Sequence, residues 1–315
     1  MFLGNRQSRI LIMLTAVLLV ICLVMLTGCQ GQKQGDPPAA AGRATESTGE
    51  PTGETGETGS EPAVTITGDG VGHEVKFTLT ELKNMEEGSA AVCYSTVNNW
   101  PAKKFVVGKG VRVAYLLEKA GIKENAQRIT FRAADGYNAS LTREQLTEKR
   151  FCFPGLLQGS SEGAWEVPAI LAWEYEEDTS DLSEATSGKL RLLLGQKWLN
   201  DVVTAAFVKG VSTIEVSAAQ PGRWSEVQAG PAPGKVKRGT EIALSHPQQD
   251  LVKIYYTIDG STPDEKSLVY NPSTTYFQPD LNKPIPVDKP VTIKTVVVGF
   301  GKHNSRVSTF KYDLE

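Results

Sequence analysis

Cysteine is the residue type with the clearest chemistry in this chain of 315 residues. Two of its four cysteines, Cys93 and Cys152, lie well inside the sequence. They could form a disulfide in an oxidising compartment, or each could be a buried free thiol that packs as a small apolar side chain. A zinc site has little support, because the chain has only three histidines and no CxxC pair.

The first residues resemble the export signal of bacterial lipoproteins. Arg6 and Arg9 precede an apolar run over residues 10–26, and the run ends in Leu-Thr-Gly-Cys at Cys29. This ending is similar to the lipobox, whose cysteine is diacylated and becomes the mature N-terminus. The resemblance implies a lipid on Cys29 and a location on the extracytoplasmic face of a cell membrane. The alternative is a permanent transmembrane helix, for which the run is near the lower length limit.

Composition restricts the partners and the number of domains. Residues 30–62 are mainly Gly, Glu, Thr, Pro and Ala, which cannot build a core and predict a flexible acidic tether. The formal net charge is −3 and no cluster of Lys and Arg follows the start of the chain, so nucleic acid is excluded as a partner. The remaining length is sufficient for two folded domains.

The first of these domains is predicted to be α+β. Short alternating strands are expected near residues 64–67, 75–77, 90–94, 127–132, 190–194 and 211–216. Capping boxes at Thr78 and Thr142 predict the starts of two helices. A third helix is predicted from the apolar residues between Val113 and Ala120, with Gly121 ending it. The acidic run over residues 174–181 is predicted to be a solvated loop.

The order of these elements resembles the molybdopterin-binding domain of sulfite-oxidase-type enzymes. The matching features are a strand ending at Cys93, a Gly-hydrophobic segment from Gly110 to Leu117, an Asp-Gly-Tyr turn at Asp135, and late strands at residues 189–195 and 207–216. The resemblance implies a molybdopterin cofactor and makes the Cys93 thiolate its molybdenum ligand. It also places Asn98 and Asn99 beside the cofactor.

Two departures from that family fall where the cofactor chemistry would lie. Tyr-Ser-Thr-Val-Asn-Asn follows Cys93 in place of the family's Gly-Asn-Arg, and the next arginine is Arg112, which is our candidate cofactor-binding arginine. No histidine occurs between His73 and His246. Asn98 and Asn99 could equally be turn residues. The enzyme activity therefore stays open, with a molybdenum-dependent oxidoreductase and a cell-surface binding protein without cofactor as the two hypotheses.

The second domain is predicted to be all β. Strands are expected at residues 241–244, 252–258, 291–298 and 308–312, with an Asp-Gly turn at Asp259. The segment Tyr-Thr-Ile-Asp-Gly-Ser-Thr-Pro at residues 256–263 resembles the immunoglobulin-like modules at the C-termini of chitobiase-type glycoside hydrolases. Such modules are accessory, and cell-wall glycan is a candidate partner. The oxidoreductase hypothesis adds an electron-transfer protein as a second candidate.

These observations predict a five-part chain. We assign a signal peptide to residues 1–28, a tether to 29–62, a molybdopterin-binding-like domain to 63–218, a hinge to 219–234 and an immunoglobulin-like β-sandwich to 235–315.

Overall fold

The computed structural model describes residues 61–98, 102–270 and 284–315. The signal peptide, Cys29, most of the tether and Asn99 lie outside these ranges, so they stay predictions. Within the described ranges, no helix is long and apolar enough to cross a membrane. Residues 58–315 belong to one compact unit, which includes both predicted domains.

The first domain contains two sheets packed over a shared core. Its described strands are β1 (Val64–Thr67), β2 (Val75–Phe77), β3 (Ser89–Val97), β4 (Lys103–Arg112), β5 (Arg128–Ala133), β6 (Asn138–Thr142), β7 (Phe151–Cys152), β8 (Trp165–Glu166), β9 (Ile170–Glu177), β10 (Thr186–Leu193) and β11 (Val211–Ser217). One sheet has the order β2-β1-β11-β5-β6 and the other β10-β9-β4-β3, while β7 and β8 pair as a short ribbon. The second sheet carries Cys93 on its edge strand.

The helices in the described ranges are short, and their capping residues explain where they begin. They are α1 (Leu79–Lys83), α2 (Val113–Lys119) and α3 (Arg143–Thr147). Thr78 and Thr142 form the capping boxes predicted for α1 and α3. Helix α2 buries Val113, Leu116 and Leu117, as its apolar spacing predicts. Gly121 follows α2 with φ +65°, the left-handed geometry expected after a helix end.

Two parts of the first domain differ from the sequence-based predictions. The strand predicted to stop near Cys93 continues to Val97, so Cys93 lies inside β3. The prediction of a solvated loop over the acidic run was wrong for its first half, because Glu174, Glu176 and Glu177 lie in β9. That strand pairs with β4, whose lysines offset its carboxylates.

The second domain is a sandwich of two sheets, as predicted. Its described strands are β12 (Gln228–Gly230), β13 (Gly234–Val236), β14 (Thr240–Ser245), β15 (Val252–Thr257), β16 (Leu268–Tyr270), β17 (Ile285–Val287), β18 (Val291–Gly299) and β19 (Ser308–Leu314). The sheets have the orders β12-β14-β17 and β13-β19-β18-β15-β16. Alternate residues of these strands, such as Ile242, Ile254 and Ile293, are completely buried between them.

The segment between the two domains has structure of its own. Trp224 is buried in the core of the second domain, and β12, which lies inside residues 219–234, pairs with β14. The indole of Trp224 also lies under the ammonium group of Lys302, with 4.5 Å between the nitrogen and the ring centre. The polypeptide therefore packs against the second domain soon after it leaves the first.

Candidate cofactor site

Cys93 and Cys152 lie side by side. Cys93 is partly buried in the middle of β3, opposite Val107 of β4, and Cys152 is fully buried in β7. The two thiols lie close enough for each to shift the pKa of the other. Both are free thiols in this structure. The sulfur of Cys93 is therefore uncommitted, and it is the more accessible of the two.

The contact between the thiols shifts their pKa values in opposite directions. The hydrogen bond to Cys152, followed by burial, raises the pKa of Cys93. The interaction with Cys93, together with the neighbouring polar groups of Ser95, lowers the pKa of Cys152 even though burial opposes the change. The pair thus gives up its first proton more readily than its second. A cation bound at Cys93 would have to displace the thiol proton, because a thiolate is the form that ligates metals.

A buried polar network fixes the position of Cys152. The hydroxyl of Ser95 accepts a hydrogen bond from the backbone N–H of Phe153 (2.8 Å) and donates to Oε1 of Gln196 (2.5 Å). Gln196 is completely buried, and its Nε2 donates to the carbonyl oxygens of Leu199 (3.0 Å) and Asp201 (2.9 Å). Because each of these polar groups has a partner, strand β7 is held firmly against β3.

Asn98 lies one residue beyond β3 and shapes a turn. Its side-chain Oδ1 accepts a hydrogen bond from the backbone N–H of Ala102 (2.9 Å), and its own N–H donates to the Ala102 carbonyl oxygen (3.1 Å). These bonds close the connection from β3 to β4. Asn99 lies in that connection, outside the described residues, and its predicted contact with the cofactor stays a prediction.

Arg112 lies at the far end of β4 from Cys93. It is five positions along the chain from Val107, the partner of Cys93, which corresponds to about 16 Å along a strand. Its Nη2 donates to the carbonyl oxygen of Glu87 (2.5 Å). Arg112 also lines a cavity of about 690 Å³ that contains Arg143 and Arg150. The structure therefore does not place Arg112 beside the Cys93 thiol.

The lysines of β4 that lie nearest to Cys93 in the sheet have acidic partners, which the sequence analysis did not predict. Lys104 forms an ion pair with Glu177, which also binds Arg191 at 2.6 Å. Lys109 lies 4.0 Å from Glu174. The pKa of Glu177 is lowered by its bonds to Lys104 and Arg191, which outweigh the effect of burial. Strand β9 supplies both carboxylates, so recognising it as a strand would have revealed the pairs.

The donor at Cys93 fits the metal end of a molybdenum cofactor. A soft sulfur donor suits a soft metal site, and this sulfur is partly accessible and free of a disulfide. The second thiol and Ser95 provide hydrogen-bonding groups next to it, which is how outer contacts tune a ligating sulfur.

Comparisons with known protein families agree with this description. Residues 58–224, more than half of the chain, match the family described as "Oxidoreductase molybdopterin binding domain". The chain therefore belongs to that family. Residues 231–309 match the "Chitobiase/beta-hexosaminidase C-terminal domain". The predicted fold class, a molybdopterin-binding α+β domain followed by an immunoglobulin-like β-sandwich, is confirmed, with few helices and a predominance of strands.

Two solved structures align with this chain at low similarity. The sulfane dehydrogenase SoxCD from Paracoccus pantotrophus aligns at 11% identity with a TM-score of 0.33, covering 76% of this chain and 68% of that one. The glycoside hydrolase domain of Spr0440, Endo-D, from Streptococcus pneumoniae R6 aligns at 12% identity with a TM-score of 0.21, covering 71% and 33%. A search of curated proteins finds no match.

Proposed function

We propose that this protein is a lipid-anchored, extracytoplasmic oxidoreductase whose first domain binds a molybdenum cofactor through Cys93. The observation that carries the proposal is the free, partly exposed thiol of Cys93 in a domain of the molybdopterin-binding family. A bound molybdenum cofactor supplies oxygen-atom transfer, coupled to a two-electron change at the metal. A redox protein outside the cytoplasm would exchange those electrons with the cofactor.

The residues of the chain have distinct roles in this proposal. Cys93 would hold the metal as a thiolate, after loss of its proton. The Cys152 thiol would then stand next to the ligating sulfur as a hydrogen-bond donor, the reverse of the direction in the metal-free pair, and Ser95 holds the strand of Cys152 in place through its bonds to Phe153 and Gln196. Such a hydrogen bond stabilises negative charge on the sulfur and is one way in which a protein sets the redox potential of a metal centre.

Cofactor binding is tested on the whole protein, produced in a host that makes molybdopterin. We expect purified wild-type protein to contain molybdenum and pterin in amounts approaching one equivalent per chain. Metal analysis measures the first, and fluorescence of the oxidised, released pterin measures the second. If the folded protein contains neither, the enzyme proposal is overturned, and a binding protein that retains the fold without cofactor takes its place.

The membrane anchor rests on the lipobox-like sequence ending at Cys29. Lipid on this residue and the flexible acidic segment after it would hold the folded domains outside the membrane surface. We expect Cys29→Ser to move the protein from the membrane fraction or to leave its signal uncleaved, with a change in mass. Unchanged mass and unchanged membrane association in the variant would contradict the anchor.

We also propose that the β-sandwich is an accessory module that contacts cell-wall glycan or the electron-transfer partner. Its family match supports an accessory role. Sedimentation of the purified protein with isolated cell walls tests the glycan contact directly. Equal sedimentation of a form that lacks the β-sandwich but keeps a folded first domain would argue against it.

A further inference from the structure

The two domains meet at a boundary fixed by direct contacts. The side-chain amide of Gln145, in the first domain, forms two hydrogen bonds with the backbone of the second domain. Its Nε2 donates to the Gly299 carbonyl oxygen (2.9 Å), and its Oε1 accepts from the Gly301 N–H (2.8 Å). Trp198 meets Tyr255 edge to face, with ring centres 6.4 Å apart. Any space enclosed by these contacts therefore has defined walls.

A polar cavity of about 310 Å³ lies at this boundary. Its volume is at the lower end of the range for small-molecule sites. Both domains line it, and none of the proposed cofactor ligands is among the lining residues. The cavity lining carries both signs of charge. Its acidic residues are Glu144, Glu148, Asp201 and Glu265, and its lysines and arginines are Arg150, Lys197, Arg223, Lys253 and Lys302.

The first-domain wall is a network in which opposite charges are paired. The buried guanidinium of Arg150 forms ion pairs with Glu148 and with Asp201, the latter at 3.4 Å. Lys197 binds Glu148 at 2.9 Å and reaches Glu265 of the second domain at 3.6 Å. Glu148 and Asp201 are therefore already paired with Arg150 and Lys197.

The second-domain wall contains a lysine with no such partner. Along β15, Val252 and Ile254 point into the sandwich core, so Lys253 and Tyr255 point to the opposite face, toward the first domain. Lys253 is only 7% exposed. Among the described residues, its Nζ atom has no hydrogen-bond partner.

A buried ammonium group without a partner is unfavourable. Burial lowers the pKa of Lys253 to about 7, although the nearby charge of Asp250 acts in the opposite direction. Natural proteins rarely leave a lysine in this state unless a partner arrives or the group has a function. The missing partner of a cation is an anion, and the cavity beside Lys253 offers space for a small one. Nζ has almost no accessible surface, so the lysine side chain would turn toward the cavity to contact the anion.

We propose that the cavity between the domains binds a small anion through carboxylate or phosphate oxygens, with Lys253 as its charged partner. The proposal does not depend on the molybdenum cofactor, because the site is built from different residues. Lys302 also lines the cavity and adds positive charge on the same side. An anion at this position would bridge the two domains and strengthen their contact.

The test is thermal unfolding of the full chain without cofactor, in increasing sodium phosphate or sodium acetate, with sodium chloride at equal ionic strength as the reference. A ligand that binds only the folded state stabilises it by RT ln(1 + [L]/Kd), so Tm keeps rising with the logarithm of the ligand concentration above Kd. We expect one of the two anions to raise Tm with this dependence, beyond any effect of chloride. Whichever does so identifies the oxyanion that the site prefers.

Two lysine variants assign the effect to the cavity. Lys253→Met removes the proposed partner, and we expect it to weaken the apparent affinity at least tenfold. Lys311→Met removes an exposed lysine of β19 in the same domain and should leave the affinity unchanged. The proposal is overturned if neither anion acts beyond chloride, or if the Lys253→Met response equals that of the wild type.

Discussion

Replacing Lys253 with Met should change how the stability of the protein depends on pH. The pKa of Lys253 is about 7 in the folded protein, against a reference value of 10.5. The unfolded chain therefore holds more protons than the folded protein between these values, and the free energy of unfolding rises with pH in that window. The free-energy cost of burying the charged Lys253 side chain is fully present below about pH 7. It amounts to about 5 kcal/mol, because each unit of pKa shift corresponds to about 1.36 kcal/mol.

Raising the pH from 7 to 9 should therefore increase the free energy of unfolding of the wild type by about 2 kcal/mol. Lys253→Met has no proton to lose at this position, so its stability should lack that gain. Urea unfolding at several pH values, followed by tryptophan fluorescence, measures the difference. Lys311→Met is the control and should follow the wild type, because Lys311 is exposed. Parallel pH profiles for wild type and Lys253→Met would refute the assignment of a depressed pKa to this lysine.

Two further predictions concern buried charge and the thiol pair. Arg150→Met should lower the free energy of unfolding by about 3–5 kcal/mol, because it leaves the buried carboxylate of Asp201 without its guanidinium. The double variant Arg150→Met, Asp201→Asn should regain part of the lost free energy of unfolding, as measured by urea unfolding. If it regains none, the ion pair between Arg150 and Asp201 is contradicted. Oxidised glutathione should convert Cys93 and Cys152 of the metal-free protein to a disulfide, with release of reduced glutathione, and should stabilise it by about 2–4 kcal/mol. Thiol titration and peptide mapping test this, and two persistent thiols would contradict the close contact.

Features determined by neighbouring residues were predictable from the sequence. The capping boxes at Thr78 and Thr142 need only residues three positions away, and both helices begin where predicted. The strands of the second domain follow from alternation and from the Asp259-Gly260 turn, where Ser261 N–H bonds to Asp259 (2.9 Å). In these segments, local pattern and tertiary packing favour the same structure.

Features that depend on distant residues were not predictable. Strand β9 carries several carboxylates and reads as a solvated segment, but it is a strand because β4 lies beside it with Lys104 and Lys109. Lys253 alternates with apolar residues and reads as an exposed lysine of a sandwich, whereas the first domain covers that face. The sequence also could not place Arg112 relative to Cys93, since their separation is set by the register between β3 and β4.

Metal content of two matched cysteine variants tests the role of Cys93 most directly. Cys93→Ser and Cys152→Ser each remove one thiol of the same neighbouring pair, so both variants lose the interaction between the two thiols. Produced in a host that makes the cofactor, and compared at equal fractions of folded protein, Cys152→Ser should retain molybdenum. Cys93→Ser should lose nearly all of it, because serine is a poor ligand for a soft metal. Equal molybdenum in Cys93→Ser and the wild type would contradict the proposal that Cys93 binds the metal.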